Sequence, residues 1–380
     1  MAKYKLGDIC EIVSGSTPKT GIDEYWDGNI KWITPAEIDD DTYIITDSVR
    51  KITEMAVKKT GLSSFPKGTV VLSSRAPIGK VAIAGCEMYC NQGFKNLICS
   101  EKINNKYLYW FLKCNTVFLN SLGRGATFKE ISKRIVSEIE INVPDKEKQE
   151  EAVRTLEKTS EIIALRKQKL AALDTLIKAR FVELFGDAIY NDKGWENDTV
   201  EKLCKEIYGG GTPSKSHPEY YEDGDIPWVS SKDMKTDVLT DSQIKINQLG
   251  VDNSTARMVP INSVIMVIRS GILKHTLPVA INAVPITVNQ DLKVFIPNKR
   301  VLTRFLAIQF KMHEKDILSG VRAVTADNIE FNSLKQRELI VPPIELQQEY
   351  VTFLEQIDKS KVSLYYKNRK GGFSAIIVYI

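Results

Sequence analysis

Cationic residues recur in this sequence beside predicted turns, where they could contact a nucleic acid. Arg75 and Lys80 lie in SSRAPIGK, and Arg269 and Lys274 lie in IRSGILK, each time between two apolar runs. A long cationic side chain at a turn between strands can reach a phosphate oxygen or the edge of a guanine. A solvated hairpin tip that binds nothing is the competing interpretation, and the sequence leaves both open.

Hydroxyl groups near lysine or arginine form a second set of this kind. The loops GSTPK and GGTPSK contain Thr-Pro after glycine, while LGRGATFKEI and SGVRAVTADNIEF contain Thr127 and Thr325 shortly after an arginine. Both kinds of side chain donate hydrogen bonds to phosphate oxygens, so these segments also predict DNA contacts, with plain packing turns as the alternative. The predicted DNA-binding residues are Thr17, Lys19, Arg75, Lys80, Arg124, Lys129, Thr212, Lys215, Arg269, Lys274 and Arg322.

Known catalytic signatures are missing from the sequence. It contains no Walker motif, no dinucleotide-binding G-x-G-x-x-G, no G-x-S-x-G and no Asn-Pro-Pro-Tyr-like tetrapeptide of amino-methyltransferases. The stretch VPDKEK is superficially similar to a nuclease motif, but its residues are crowded together and its counterpart VPPIEL has no acid directly after Pro342, so we interpret it as a helix start. The six cysteines form no C-x-x-C pair and the three histidines lie far downstream, which predicts no metal site and a reducing cytoplasm.

The elements that would position these residues occur twice. Trp32 matches Trp228, Asn91-Gln92 matches Asn289-Gln290, and Arg124 matches Arg322, all at offsets of 195 to 198 residues. A repeat of this length exceeds the 20 to 50 residues of a solenoid unit, so each copy must contain a whole domain. Trp32 and Trp228 lead apolar runs, which favours a place in the core over stacking on bases.

A charged stretch without glycine or proline, residues 147–185, predicts one long helix of roughly 58 Å. Apolar residues recur in it every seven positions, as in a coiled-coil seam that needs a partner helix, and the second copy begins the same helix after Pro343. The predicted seam residues are Leu156, Ile163, Leu170, Ile177 and Leu184 in the first helix and Tyr350, Leu354 and Ile357 in the second.

These patterns predict an α/β (α+β) protein with two pseudo-repeated domains and long helices that pair as a coiled coil. The predicted segments are residues 1–142, a first globular domain; 143–190, a helical segment; 191–342, a second globular domain; and 343–380, a C-terminal helix. With no apolar run long enough for a membrane span, we expect a soluble protein. The net charge of only +4 does not by itself indicate a nucleic-acid partner, because dedicated DNA-binding domains are usually more basic.

The L-G-D … G-x-T-P … G-x-I-x-W opening, the later N-Q segment and the V-P-x-x-x-x-Q helix start together resemble the specificity (S) subunit of type I restriction and modification enzymes, over about residues 5–361. The resemblance implies two target recognition domains, each reading one half of a split sequence in double-stranded DNA. It also implies two antiparallel helices that set the gap between the half-sites and dock methyltransferase subunits.

The resemblance further implies a non-catalytic subunit that works with adenine methyltransferase (M) subunits and an ATP-driven nuclease and translocase (R) subunit. No cofactor is then expected on this chain, whereas S-adenosylmethionine, ATP and Mg²⁺ are expected on those partners. A self-sufficient methyltransferase or nuclease is one alternative, and a coiled-coil adaptor that binds only proteins is another.

The C-terminal tail departs from the family pattern. In place of a second helix as long as the first, the chain continues with Gly371-Gly372 and the uncharged FSAIIVYI, and the apolar spacing is lost near Ser363. We therefore expect the second helix to end near Lys367 and to leave part of the first helix without a partner. An exposed apolar stripe favours association, so self-association through the helices and weaker docking of methyltransferase subunits are predicted.

Overall fold

The computed structural model describes residues 2–75, 77–125, 129–323 and 327–370, with the backbone alone described at residues 322–323 and 365–370. The matched Thr127 and Thr325 and the tail from Gly371 onward therefore lie outside the described residues. Over residues 1–366, contacts divide the chain into two compact units, Met1–Lys167 and Gln168–Tyr366. We call them unit 1 and unit 2. The four predicted segment boundaries remain a prediction.

Among the described residues, unit 1 contains ten strands and the first six helices. The strands are β1 (Ala2–Lys5), β2 (Cys10–Ser14), β3 (Trp26–Ile33), β4 (Ile44–Ile45), β5 (Lys51–Ile52), β6 (Val70–Ser73), β7 (Val81–Ala84), β8 (Tyr89–Cys90), β9 (Phe94–Cys99) and β10 (Glu140–Val143). The helices are α1 (Leu6–Ile9), α2 (Glu54–Thr60), α3 (Asn105–Cys114), α4 (Thr116–Ser121), α5 (Lys133–Ser137) and α6 (Lys146–Phe185), the last of which continues into unit 2.

Unit 2 contains the remaining elements in the described part of the chain. The strands are β11 (Asn197–Thr199), β12 (Cys204–Gly209), β13 (Ile226–Val229), β14 (Val238–Leu239), β15 (Lys245–Ile246), β16 (Val264–Val267), β17 (Val279–Asn282), β18 (Thr287–Val288), β19 (Leu292–Pro297), β20 (Arg322–Ala323), β21 (Asp327–Asn328) and β22 (Glu338–Ile340). The helices are α7 (Val200–Leu203), α8 (Gln248–Asp252), α9 (Thr303–Met312), α10 (Glu314–Ser319), α11 (Phe331–Lys335) and α12 (Ile344–Lys370).

The two units share one topology, which confirms the duplication predicted from the sequence. Unit 1 has a five-stranded sheet in the order β2-β9-β6-β7-β4, a three-stranded sheet β5-β3-β8 and the pair β1-β10. Unit 2 repeats these orders as β12-β19-β16-β17-β14, β15-β13-β18 and β11-β22. In both large sheets the central strand is antiparallel to its two neighbours and the last strand is parallel to the strand beside it.

The large sheets form because their central strands are apolar on both faces. Every residue of β6 and β7 is buried, as is every residue of β16, so these strands must be covered on two sides. In unit 1 the helix α3 contributes the consecutive buried residues Tyr107–Leu112 to that cover. Asn104 caps the N-terminus of this helix, because its side-chain oxygen accepts a hydrogen bond from the backbone N–H of Lys106.

The long helix α6 begins as an ordinary capped helix. Asp145 accepts from the backbone N–H of Lys148 at 3.0 Å, and its carbonyl accepts from the N–H of Gln149 at 3.0 Å. A carboxylate at this position satisfies an orphan donor of the first turn and interacts favourably with the helix dipole. The acidic residue of VPDKEK therefore caps a helix, as the sequence analysis expected.

Within unit 2 the C-terminal part of α6 packs antiparallel to α12. Arg180 pairs with Glu349 at 2.6 Å, the Tyr350 hydroxyl donates to the carbonyl of Ile177 at 2.9 Å, and Lys361 pairs with Asp174 at 2.5 Å. The partner number on α6 falls as the number on α12 rises, so the helices run in opposite directions. This packing confirms the predicted pairing of the two long helices.

The predicted seam is covered in more than one way. Tyr350, Leu354 and Ile357 are buried, and Ile177 and Leu184 are partly buried against the core of unit 2. A globular core covers other parts of the stripe: Leu156 lies in the core of unit 1, and Phe181 and Phe185 lie in that of unit 2. Ile163 and Leu170 are partly buried. The heptad spacing therefore anchors both ends of α6 in globular domains besides pairing two helices.

The second helix is longer than the sequence analysis expected. We predicted an end near Lys367, whereas α12 extends to Lys370. Ser363, where the apolar spacing is lost, lies inside the helix and is exposed. A helix can extend beyond its apolar stripe, because lysine, asparagine and arginine are accepted in helices at a small cost in propensity. The consequence that we drew for self-association stays a prediction.

Candidate nucleic-acid interface

One end of the large sheet of unit 1 gathers most of the residues that the sequence singled out. Because β9 is antiparallel to both β2 and β6, and β7 to β6, the strands β2 and β6 end where β9 and β7 begin. The connecting segments at this end are residues 15–19, 74–80 and 91–93. The corresponding segments of unit 2 are residues 210–215, 268–274 and 289–291. We call this end of each unit the loop edge.

The Thr-Pro loop is fastened to the N-Q turn in both units. The hydroxyl of Thr17 hydrogen-bonds the side-chain carbonyl of Gln92, and Thr212 does the same with Gln290. These partners lie 75 and 78 residues apart in the chain. Each hydroxyl thus has a structural partner, while the neighbouring Lys19 and Lys215 are exposed on the same loops. Contact of these four residues with DNA stays a prediction.

A buried tryptophan on the core side of each Thr-Pro loop donates a hydrogen bond to it. The indole N–H of Trp32 donates to the carbonyl of Ser16 at 3.0 Å, and that of Trp228 donates to the carbonyl of Gly211 at 2.9 Å. The exposures of the two tryptophans, 3% and 7%, agree with the prediction that they are core residues and leave no face for a base. The repeated G-x-T-P and G-x-I-x-W motifs therefore have a shared structural purpose, which is to fix one loop.

The first glycine of each loop is required by a close backbone approach. A Cβ atom at Gly15 would lie 2.0 Å from the carbonyl oxygen of Asn91, and one at Gly210 would lie 1.8 Å from that of Val288. No side chain fits at such distances, so glycine lets the loop lie against the neighbouring strand. The loop edge is therefore a preformed surface.

Arg75 and Lys80 lie in the β6–β7 turn, as predicted, but they differ in environment. Arg75 lines a cavity of about 530 Å³ together with Asn91, Gly93 and Glu130. The ammonium of Lys80 instead donates to the carbonyl of Pro35 at 2.9 Å. Arg75 is consequently placed for an outside ligand, while Lys80 has an internal partner.

The corresponding residues of unit 2 are both close to carboxylates. Arg269 is exposed, and its guanidinium binds the Oδ1 atom of Asp291 through Nε at 2.7 Å and through Nη2 at 2.6 Å. Lys274 is more exposed still, and its ammonium lies 3.9 Å from Asp327. Unit 1 has Gly93 at the position of Asp291 and Lys129 at that of Asp327, so the charge at the loop edge differs between the units.

Arg124 and Lys129 border the loop edge of unit 1 and are exposed. The backbone of Arg124 pairs with that of Glu130 in both directions, at 3.0 and 2.9 Å, and both residues line a concavity of about 950 Å³. Arg322 pairs in the same way with Asn328 through its backbone, and its side chain lies outside the described residues.

The sequence analysis did not single out Lys95, which the structure places beneath the loop edge. This lysine is only 6% exposed, and its ammonium lies 3.2 Å from the Ser74 hydroxyl and 3.3 Å from the Glu130 carboxylate. Its counterpart Lys293 stacks over the ring of Phe331, and burial lowers the pKa of its ammonium. The repetition of lysine three positions after N-Q in both copies was the signal that could have found them.

The glutamine of each V-P-x-x-x-x-Q motif fastens the long helix to its globular domain. Gln149 accepts from the N–H of Asn104 at 2.8 Å and donates to the carbonyls of Lys102 and Pro144. Gln347 accepts from Leu302 at 3.0 Å and donates to Arg300 and Pro342. Both side chains are at most 1% exposed. A buried amide with every partner satisfied fixes the direction in which each helix leaves its domain.

Replacing Gln347 with Ala should destabilise unit 2. The substitution leaves the N–H of Leu302 and two carbonyl groups without partners, and each buried unsatisfied group costs about 1–3 kcal/mol. We expect the free energy of unfolding to fall by about 2 kcal/mol or more in urea titrations. Gln348→Ala, an exposed neighbour on the same helix, is the control. Equal unfolding midpoints for the two variants would contradict this role.

Within the described residues, no group of three or more histidine, cysteine, aspartate or glutamate side chains could hold a metal ion. In the same part of the chain, every helix is too short or too polar to cross a membrane.

Comparison with known proteins places this geometry in a family. The family model of the type I restriction modification DNA specificity domain matches the chain twice, over residues 1–175 and 192–369. The MjaIX specificity subunit of a type I restriction enzyme from Methanocaldococcus jannaschii is 30% identical over 374 residues, with 93% of this chain and 85% of that protein covered. The EcoR124I/EcoR124II specificity subunit from Escherichia coli is 32% identical, with 67% and 63% covered.

Solved structures show the same fold. The crystal structure of a type I restriction-modification S subunit from M. genitalium matches with a TM-score of 0.57 at 14% identity, covering 99% of this chain and 93% of that one. A chain solved in work on complex assembly and conformational transition of the type I R-M system matches with a TM-score of 0.57 at 16% identity, covering 97% and 93%.

Proposed function

Because the chain belongs to the type I restriction-modification DNA specificity family, we propose that each of its two units reads one half of a bipartite target in double-stranded DNA. The protein is the DNA specificity subunit of a type I restriction-modification complex and is itself non-catalytic. No cofactor is known for this family. The loop edges are the proposed reading surfaces, and α6 is the proposed spacer.

The proposal is supported by a contrast at the two loop edges: the framework of contacts that holds the loops is shared, whereas the side chains on that framework differ. The frame is the same, because a buried tryptophan, a Thr–Gln hydrogen bond and a close glycine recur in both units. The side chains differ, because Gly93 and Lys129 in unit 1 correspond to Asp291 and Asp327 in unit 2. A bipartite and asymmetric target requires two recognition domains that share a scaffold but differ in their side chains.

The partners follow from the family and from the limited charge of the chain. We propose that methyltransferase subunits dock on the long helices and that a restriction and translocase subunit completes the complex, with S-adenosylmethionine, ATP and Mg²⁺ bound on those subunits. A net charge of +4 supplies few phosphate contacts, so partners that enclose the duplex would contribute much of the affinity. The proposed location is the cytoplasm, in keeping with six free cysteines.

Selection of bound fragments from random double-stranded DNA tests this function. The chain co-expressed with its methyltransferase subunits should enrich two short defined segments separated by a gap of fixed length, whereas the chain alone should bind weakly. A complex that forms but enriches no sequence would favour a protein-binding adaptor. Methylation or cleavage by the purified chain alone would favour a self-sufficient enzyme.

The exposed apolar residues Ile162 and Leu165 of α6 are the proposed docking point for a methyltransferase subunit. They are 40% and 56% exposed and lie one turn apart on one helix face. We expect Leu165→Glu to weaken co-purification of the methyltransferase subunit by tenfold or more, because a carboxylate buried in an apolar interface costs several kcal/mol. Ala164→Glu places the same charge on a different face and should leave the affinity unchanged. If both variants bind equally, the docking surface lies elsewhere.

A further inference from the structure

We propose that unit 2 reads a guanine through Arg269 and that Asp291 is the positioning residue which holds this arginine for that purpose. The inference rests on the proposed function and adds to it a named base and the group that orients the reading side chain. It is carried by the geometry of the Arg269–Asp291 pair and by the rigid backbone on which both residues lie.

The pair leaves one defined edge of the guanidinium available. Nε and Nη2 of Arg269 both approach Oδ1 of Asp291, at 2.7 and 2.6 Å, so the side edge of the planar group is occupied. The two N–H groups at the far end, one on Nη1 and one on Nη2, point away from the carboxylate. Two parallel donors of this kind match the O6 and N7 acceptors of guanine in the major groove, which is the commonest specific contact of arginine with DNA.

Asp291 is itself held in place by the N-Q turn. Its Oδ2 atom lies 3.2 Å from the side-chain amide of Asn289, and its backbone N–H donates to Asn289 Oδ1 at 3.1 Å. The carbonyl of Asp291 accepts from the backbone N–H groups of Ile268 at 2.8 Å and Arg269 at 3.3 Å. Carboxylate and arginine are therefore fastened to each other through both backbone and side chain, which reduces the entropy lost when the arginine binds a base.

Unit 1 has the same turn without the carboxylate. The N–H of Gly93 donates to Asn91 Oδ1 at 2.9 Å, in the position that the N–H of Asp291 has in unit 2. The residue after N-Q thus has the same backbone position in both units, and its side chain can differ between the units. Because Gly93 has no side chain, it cannot bind Arg75 as Asp291 binds Arg269. The two units therefore present their arginines differently.

Base analogues distinguish this arrangement from an ordinary surface ion pair. After the target has been identified, each guanine of both half-sites is replaced in turn with 7-deazaguanine, which lacks the N7 acceptor. Affinity of the complex with its methyltransferase subunits is then measured by competition. We expect one guanine in one half-site to be sensitive, with binding weakened about tenfold by the analogue.

The variants then assign that guanine. Arg269→Lys, which removes the paired donors but keeps the charge, should abolish the sensitivity to the analogue. Asp291→Ala should reduce it and Asp291→Asn, which keeps an acceptor, should reduce it less. Arg300→Lys is the matched control, because Arg300 pairs with Asp198 beyond the other end of β19, and it should retain the full sensitivity.

Two results would overturn the inference. One is a bipartite target in which no guanine is sensitive to the analogue, and the other is full sensitivity in Arg269→Lys or Asp291→Ala. The proposed function would fail differently, through a complex that selects no bipartite sequence at all. Because Asp291 is partly buried, the thermal unfolding midpoint is measured for each variant, and a midpoint equal to that of the unmodified chain identifies variants that fold normally.

Discussion

Replacing Arg75 with Ala should relax the recognition of one half-site and leave the other half-site unchanged. Arg75 lines the cavity at the loop edge of unit 1, where a base or a phosphate can approach it. A lost base contact costs about 1–3 kcal/mol, which corresponds to a loss of roughly 5- to 150-fold at one position. Lys80 is a poorer choice for the test, because its ammonium supports the backbone at Pro35.

The control is Lys67→Ala. Lys67 is exposed and precedes β6, whereas Arg75 follows it, so the two cations lie near opposite ends of the same strand. A general loss of phosphate attraction would affect both variants and both half-sites alike. Equal loss at the two half-sites in Arg75→Ala would therefore contradict independent reading by the units.

Inserting four residues after Ala171 should lengthen the gap between the half-sites without changing the half-sites. The insertion adds about 6 Å, close to one helical turn, which corresponds to about two base pairs of B-DNA. Ala171 lies between the part of α6 that packs in unit 1, with Leu156, and the part that packs in unit 2, with Phe181 and Phe185. Both anchors therefore stay intact.

A series with four and eight inserted residues gives this experiment its internal control. If α6 sets the spacing, the preferred gap in the methylated sites should lengthen in two steps of similar size. Folding of each variant is checked by circular dichroism, since a longer helix should increase the helical signal slightly. An unaltered gap in two folded variants would show that the helix is not the spacer.

The repeated motifs allowed the fold to be predicted, because the spacing of their bulky and small residues fits one backbone arrangement that occurs twice. The spacing of Trp32 and Trp228, the heptads of α6 and the V-P-x-x-x-x-Q glutamines led to the duplicated domains and the paired helices. Local signals sufficed for these features: helix caps, apolar periods and turn residues act over a few positions of the chain.

The partners of the candidate site residues could not be predicted in the same way. The DNA contacts predicted for Thr17 and Thr212 remain predictions, but the hydrogen bonds of their hydroxyls to Gln92 and Gln290 join segments that are adjacent only after the sheet has formed. Arg269 and Lys274 lie in one connection between strands, as predicted, but the pairing of Arg269 with Asp291 on another connection was not. Which cation is free and which is paired depends on contacts between distant segments, and no local pattern encodes them.

A chain that carries unit 2 in both positions tests the central claim most directly. Residues 2–142 would be replaced by residues 197–340, which the repeat places in register, and the methylated sites would be determined in cells that also supply the methyltransferase subunits. Two independent readers on one spacer predict a target in which the half-site of unit 2 occurs twice, with the gap of the original chain. A folded and methylating complex that retains the original asymmetric target, or that methylates a sequence related to neither half-site, would contradict the account.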